Sequence, residues 1–242
     1  NTHKVARSVV VRDGGTFRTT ESDFLVSDDP DFHPTDVLED ADGSLLVIDT
    51  GGWFRIGCPV SKVAKPDIHG AIYRVRRRGA HKVKDPRGRF LDAARLTPAA
   101  LARHLDDARP VVRERVIDRL AQAGSDAIGT LESVVAERGS GTYRRRLGAV
   151  WALSRIEKDA ALVPLRTALL DASPEVRVAA SRSLGTRNDR AAVPRLAELL
   201  ADDASAAVRR QAATSLGQIL QVAGISGTSA AKSPTIESLL VA

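Results

Sequence analysis

The sequence predicts an α+β chain in which an antiparallel β meander comes first and an all-α solenoid follows. Three observations predict it. Seven of the nine aromatic residues and four of the five histidines precede Leu91, after which alanine, leucine and arginine dominate. Before that point, short apolar runs are joined by Asp-Gly turns, the pattern of hairpins. Beyond it, one stretch recurs about every 32 residues, which marks a repeat architecture. At 242 residues, 43% hydrophobic and 27% charged, the chain has the composition of one or two globular domains.

The first strand is expected over Val5–Arg12, closed by the hairpin signal Asp13-Gly14-Gly15. "TFRTT" and "DFLVS" read as two further short strands, and Asp28-Asp29-Pro30-Asp31 as a loop. "PTDVLED" pairs through Asp42-Gly43 with "SLLVID", and Gly70–Arg77 supplies the next strand. A meander this small has too few strands to close a barrel or complete a sandwich, so its apolar faces need partners from earlier in sequence. The chain starts at Asn1 and contains no methionine, which leads to the expectation that the natural N-terminus lies upstream.

Charge narrows the function classes. The net charge is +6 and the pI about 9.9, values that can mark nucleic-acid binding. The distribution argues against it. Glu21 to Asp49 holds ten carboxylates and no Lys or Arg, and the helical half mixes both signs. Arg74, Arg76, Arg77 and Arg78, with Lys82, Lys84, Arg87 and Arg89, read as a solvated strand end and basic linker over 79–95 rather than a phosphate-binding patch. Cys58, the one cysteine, excludes an internal disulfide. Between Gly57 and Pro59 it reads as a small half-buried residue; a metal site with His69, or a nucleophile, lacks supporting ligands or a nearby triad. No apolar run is long enough to span a bilayer.

From residue 96 to 224 four two-helix units are expected. "DASPEVRVAASRSLG" at Asp171–Gly185 answers "DDASAAVRRQAATSLG" ending at Gly217, with earlier copies "DDARPVVRERVIDRLA" and "GTYRRRLGAVWALSRI". "LVPLRTALL" and "AVPRLAELL" are first helices. Val176, Ala179, Ala180, Ser183 and Leu184 lie on one face of a second helix. Ser173-Pro174 has the form of a cap followed by proline at the first helical position, and Gly185 and Gly217 suit helix exits. So short a unit cannot bury its own apolar face, whereas stacking does. Residues 225–242 read as a loop and, from Pro234, the start of a truncated fifth repeat. Trp151 reads as core or inter-repeat packing rather than a binding anchor.

The "DxxPxVRxxAxxxLG" stretch resembles the HEAT repeat family in its short, bilin-lyase-like form. That resemblance implies a protein-interaction or spacer module. Arg113, Arg146, Arg177 and Arg209 recur once per unit. They are either a basic ladder for an anionic ligand or an internal ladder pairing with Asp107, Asp171 and Asp203; the resemblance implies the internal ladder.

"FHPTDVLEDADGSLLVIDTGGW" followed by "HGAIYRV" is similar to the end of a β-propeller. Together with its passage through "DPRGR" into HEAT repeats, it resembles the membrane-bound dehydrogenase-like proteins of planctomycete type. On that resemblance residues 1–78 are the last blade or blades of a sugar-dehydrogenase-like propeller. The chain would be a fragment of an exported, periplasmic or cell-envelope oxidoreductase, inactive alone. Pyrroloquinoline quinone and Ca²⁺ would belong to the full-length protein, with no cofactor assigned to this chain and no Cys-x-x-Cys-His for haem. His33, Asp36, Asp49, Trp53, Arg55 and His69, at strand ends or in loops, are the ligand-lining candidates. Asp36 and Asp49 offer carboxylates to Ca²⁺ or a sugar hydroxyl, and Trp53 a stacking face. Turn hydrogen bonds for Asp36 and Asp42, and blade packing for Trp53, are the structural alternatives. No catalytic residue carries over. The competing function is a non-enzymatic scaffold that binds a protein, or a sugar or polysaccharide, with nucleic acid the least favoured partner.

Overall fold

The computed structural model describes residues 3–14, 16–51, 67–139 and 143–222. Trp53, Arg55, Cys58 and the expected fifth repeat lie outside the described residues. The chain divides into two units, Asn1–Arg87 and Gly88–Ala242, with the division inside the stretch read as a linker. The architecture is α+β, antiparallel strands followed by helices.

In the first unit, β1 (Lys4–Asp13) and β2 (Thr16–Val26) form a two-stranded antiparallel ribbon. β3 (Pro34–Glu39), β4 (Leu45–Asp49) and β5 (Ala71–Val75) form a separate three-stranded antiparallel sheet in the order β3-β4-β5. The strands expected at "TFRTT" and "DFLVS" are therefore one. The Glu21-Ser22 junction holds no Gly, Pro or Asn to turn the chain, and both residues pair with Ser8 and Arg7. The single expected meander is likewise two sheets among the described residues.

The central strand β4 carries the small core. Val47, opposite Val37 and Tyr73, is fully buried, and Phe32 packs edge-on against Tyr73 with ring centroids 5.9 Å apart. Much apolar surface stays open: Val10 is 57% exposed, Phe17 50% and Ile72 69%. A ribbon of two strands alone is marginal in water, and among the described residues this apolar surface stays open.

The second unit stacks eight α-helices among its described residues. α1 (Pro98–Ala102) with α2 (Pro110–Ala123) and α3 (Ser125–Ala136) with α4 (Tyr143–Ser154) form the first two units of the array. α5 (Leu162–Ala168) with α6 (Pro174–Thr186) and α7 (Val193–Asp202) with α8 (Ala206–Val222) form the next two. The second helices pack in succession, α2 on α4, α4 on α6 and α6 on α8. Their inward faces give one continuous core through Val112, Leu120, Leu153, Leu184, Val208 and Leu216. Trp151 is half-buried against it.

Two expectations at helix ends are corrected. Gly185 and Gly217 do not end their helices, because α6 runs to Thr186 and α8 to Val222. Gly185 instead answers a packing demand: a Cβ there would stand 2.7 Å from Ser215 on α8. Ser173 occupies the N-cap of α6, with Pro174 first in the helix, yet makes no side-chain cap. Its hydroxyl donates to Glu175 (2.7 Å) while its backbone N–H donates to Asp171 (2.7 Å), so the aspartate closes the turn.

Candidate functional site

Of the candidate residues of the β unit, His33 and the backbone of His69 lie near Asp49, which is buried at the end of β4. Its Oδ1 accepts from the backbone N–H of His33 (2.9 Å) and of Gly51 (2.8 Å). The His33 ring packs edge-on against His3, centroids 5.7 Å apart, and its Nδ1 lies 2.8 Å from the Asp31 carbonyl oxygen. Close backbone approach shapes this corner. Gly51 has φ +59°, and a Cβ on it would meet the His69 carbonyl carbon at 2.7 Å. A Cβ on Gly70 would meet the Asp49 carbonyl oxygen at 2.2 Å.

His69 contributes that backbone contact, and its residue is exposed. Asp36 stands apart on exposed β3, where its Oδ1 accepts from the Val37 N–H (2.8 Å). His33 and Asp49 are thus brought together, and Asp36 is not brought to them. No group of three His, Cys, Asp or Glu among the described residues is placed to hold a metal ion. The two carboxylates are turned to backbone amides rather than converging, so they do not fit the Ca²⁺ that the family resemblance implies.

A denser charge cluster that sequence reasoning missed stands at the other end of β4. Arg74 donates to Asp40 (2.7 Å) and to Asp42 (3.4 Å), and Arg87 also bonds Asp40. These bonds, first that from Arg74, then the Ala41 N–H and Arg87, hold the Asp40 carboxyl down at about 2. The available signal was the paired carboxylates of "EDADGS" followed by a strand ending in arginines.

In the helical unit the recurring arginines have two hands. One reaches back to the turn before its own helix. Arg113 donates to the Asp107 carbonyl (2.6 Å), Arg146 to Gly139 (2.9 Å), Arg177 to Asp171 (2.7 Å) and Arg209 to Asp203 (2.6 Å). The other reaches forward to the next turn's carboxylate. Arg146 grips Asp171 through two bonds (2.6 and 3.0 Å), and Arg177 grips Asp203 likewise (2.7 and 2.8 Å). The Arg146–Asp171 pair is the more buried, with side chains 4% and 3% exposed. Its hydrogen bond raises the Arg146 pKa against the opposing effect of burial.

The turn positions 107, 139, 171 and 203 carry Asp, Gly, Asp and Asp. Glycine at 139 removes the carboxylate that Arg113 would meet. Asp107, with no unit before it among these four, is gripped by Arg109 instead (2.9 and 2.8 Å). An additional pair of the same form, Arg166 to Asp189 (2.6 and 2.7 Å), locks α5 to the turn before α7. The one-per-unit spacing of arginines did not reveal it.

The ladder carries a pH dependence. Arg109 holds the Asp107 carboxyl down at about 2 from an ordinary 3.8. Burial works upward on Asp203, but the bonds from Arg177 and the Ser205 N–H outweigh it and its pKa is lowered. A carboxylate with a depressed folded pKa stabilises the fold above its unfolded pKa, and that stability is lost as pH falls through the folded value. The melting temperature, followed by helical circular dichroism, should be flat above about pH 5 and drop between about pH 4 and pH 2. Asp107→Asn should lower it at pH 7 and shrink that drop; an unchanged acid profile in the variant would contradict the assignment.

Beside the buried pair, α4 and α6 border a cleft of about 500 Å³ lined by Glu137, Arg138, Tyr143, Leu170, Pro174 and Glu175, among others. Leu170 is 65% exposed there. Residues 163–239 match the family model for HEAT repeats. No curated protein matches the chain. The helical half therefore contains HEAT repeats, a fold suited to protein–protein interaction, and among the described residues no helix is long and apolar enough to cross a membrane.

Proposed function

We propose that this chain is the junction of an exported, dehydrogenase-like protein, where the end of a β-propeller passes into a HEAT solenoid that serves as an interaction or spacer module. The observation that carries the reading is the open apolar surface of the β unit. Val10, Val11 and Phe17 on the ribbon and Ile72 on the sheet are all at least half exposed, as strands of a larger β assembly would be when taken alone. The oxidoreductase chemistry, with pyrroloquinoline quinone, Ca²⁺ and a sugar substrate, belongs in this reading to blades outside the chain, and the periplasm or cell envelope is its location. The test is the gene sequence on either side of the segment. Further blades and an export signal upstream support the reading, and a start codon immediately before Asn1 overturns it.

A second reading, a scaffold without enzymatic partners in the same polypeptide, is favoured by the cleft at Leu170. An exposed leucine and Tyr143 within a rim of both charge signs suit a protein segment. It predicts binding with no redox change.

A further inference from the structure

We propose that the β unit carries a binding site for a compact tetrahedral oxyanion, a phosphoryl or sulfate ester of monosaccharide size. The site is a cleft of about 440 Å³ between the Asp42-Gly43-Ser44 turn and the chain that leaves β5. The inference is independent of the role given to the solenoid.

The chain path builds the cleft. After β5 the backbone turns back at Arg77–Ala80, where the Ala80 N–H donates to the Arg77 carbonyl (3.2 Å). Gly79 supplies the φ of +71° that this turn requires. The return brings His81 and Lys82 beside Arg76 and Arg77.

The cations of this region fall into two groups. Arg74 and Arg87 are held by Asp40, and Arg76 lies 3.5 Å from Asp42. Arg77 and Lys82 line the same cleft and pair with no carboxylate among the described residues. Asp42 already faces both Arg74 and Arg76. Cations gathered around one concavity repel each other, and an anion placed among them relieves that repulsion and gains charge-assisted hydrogen bonds. The volume is near the lower end of small-molecule sites, which fits one phosphorylated or sulfated sugar rather than a nucleic-acid strand. The basic run that reads in sequence as a solvated linker thus acquires a shape.

The test is calorimetric titration of the whole chain with glucose 6-phosphate, glucose 6-sulfate and glucose. Saturable binding of either ester, at least about tenfold tighter than glucose and weakened by salt, is expected. The ester that binds tells the phosphoryl from the sulfate source. Arg77→Gln with Lys82→Gln should weaken it about tenfold or more, at unchanged melting temperature because both residues are exposed. Arg103→Gln with Arg182→Gln removes the same charge from exposed positions of the helical unit and should leave binding intact. No binding of either ester, or equal weakening by both double variants, would overturn the site.

Discussion

Arg146→Ala will destabilise the helical unit by about 3–5 kcal/mol, because it leaves the Asp171 carboxylate buried without its counter-ion. The loss is specific to burial. Arg155→Ala also removes a two-carboxylate contact, to Asp118 (2.5 Å) and Glu114 (2.8 Å), yet all three side chains are more than 40% exposed. It should cost less than about 1 kcal/mol. Urea unfolding followed by helical circular dichroism compares the two. Combining Arg146→Met with Asp171→Leu should cost less than the two single changes added together, since no lone charge remains. Equal costs for Arg146→Ala and Arg155→Ala would mean that the pair is not desolvated as described.

Two glycines 32 residues apart should respond to alanine with opposite signs. At Gly185 the new methyl meets the Ser215 Cβ and Oγ at 2.7 Å. Ser215 cannot swing clear freely, because its hydroxyl donates to the Ser181 carbonyl (2.8 Å) across the α6–α8 contact. Gly185→Ala should therefore cost about 1–3 kcal/mol as the two helices are forced apart. At Gly217, inside α8, nothing lies within 4 Å of the added carbon. There the substitution removes only glycine's backbone freedom and should stabilise by up to about 1 kcal/mol. Thermal melts of the two variants decide it. Stabilisation at both positions would show that α6 and α8 do not pack this closely.

Sequence alone reached the helical half further than the β half, and the reason is periodicity. The recurrence of Val176-Arg177 at Val208-Arg209 states both where a helix lies and which face is inward, so the inward positions of α6 and α8 were legible. What periodicity hides is the direction of a contact. Nothing in the spacing says that Gly185 receives a neighbour while Gly217 does not, or that Arg146 reaches forward into the next turn as well as back into its own. In the β half, Asp-Gly turns locate the hairpins, but the polar run "TTES" has no apolar alternation to show that β2 continues through it. The cleft at Arg77 and Lys82 depends on a turn whose only trace in sequence is one glycine at 79. Of the ligand-lining candidates, the closeness of His33 to Asp49 comes from strand pairing across the β3–β4 turn, which sequence could anticipate. The separation of Asp36 from them comes from the irregular pairing between Pro34 and Asp36, which it could not.

Glycine at position 139 gives the array a direction in time. In a stack whose stability is a sum of neighbour terms, folding starts where those terms are largest and spreads to where they are small. Bidentate arginine–aspartate contacts, buried at Arg146–Asp171 and half-buried at Arg177–Asp203, join the second unit to the third and the third to the fourth. The first and second are joined across the same position by no carboxylate, and elsewhere by the exposed Arg155 contacts. The last three units thus form the seed, and the first is the page that closes last and opens first. Amide hydrogens of α1 and α2 then exchange ahead of those in α6 and α8, and added salt widens the interval between them.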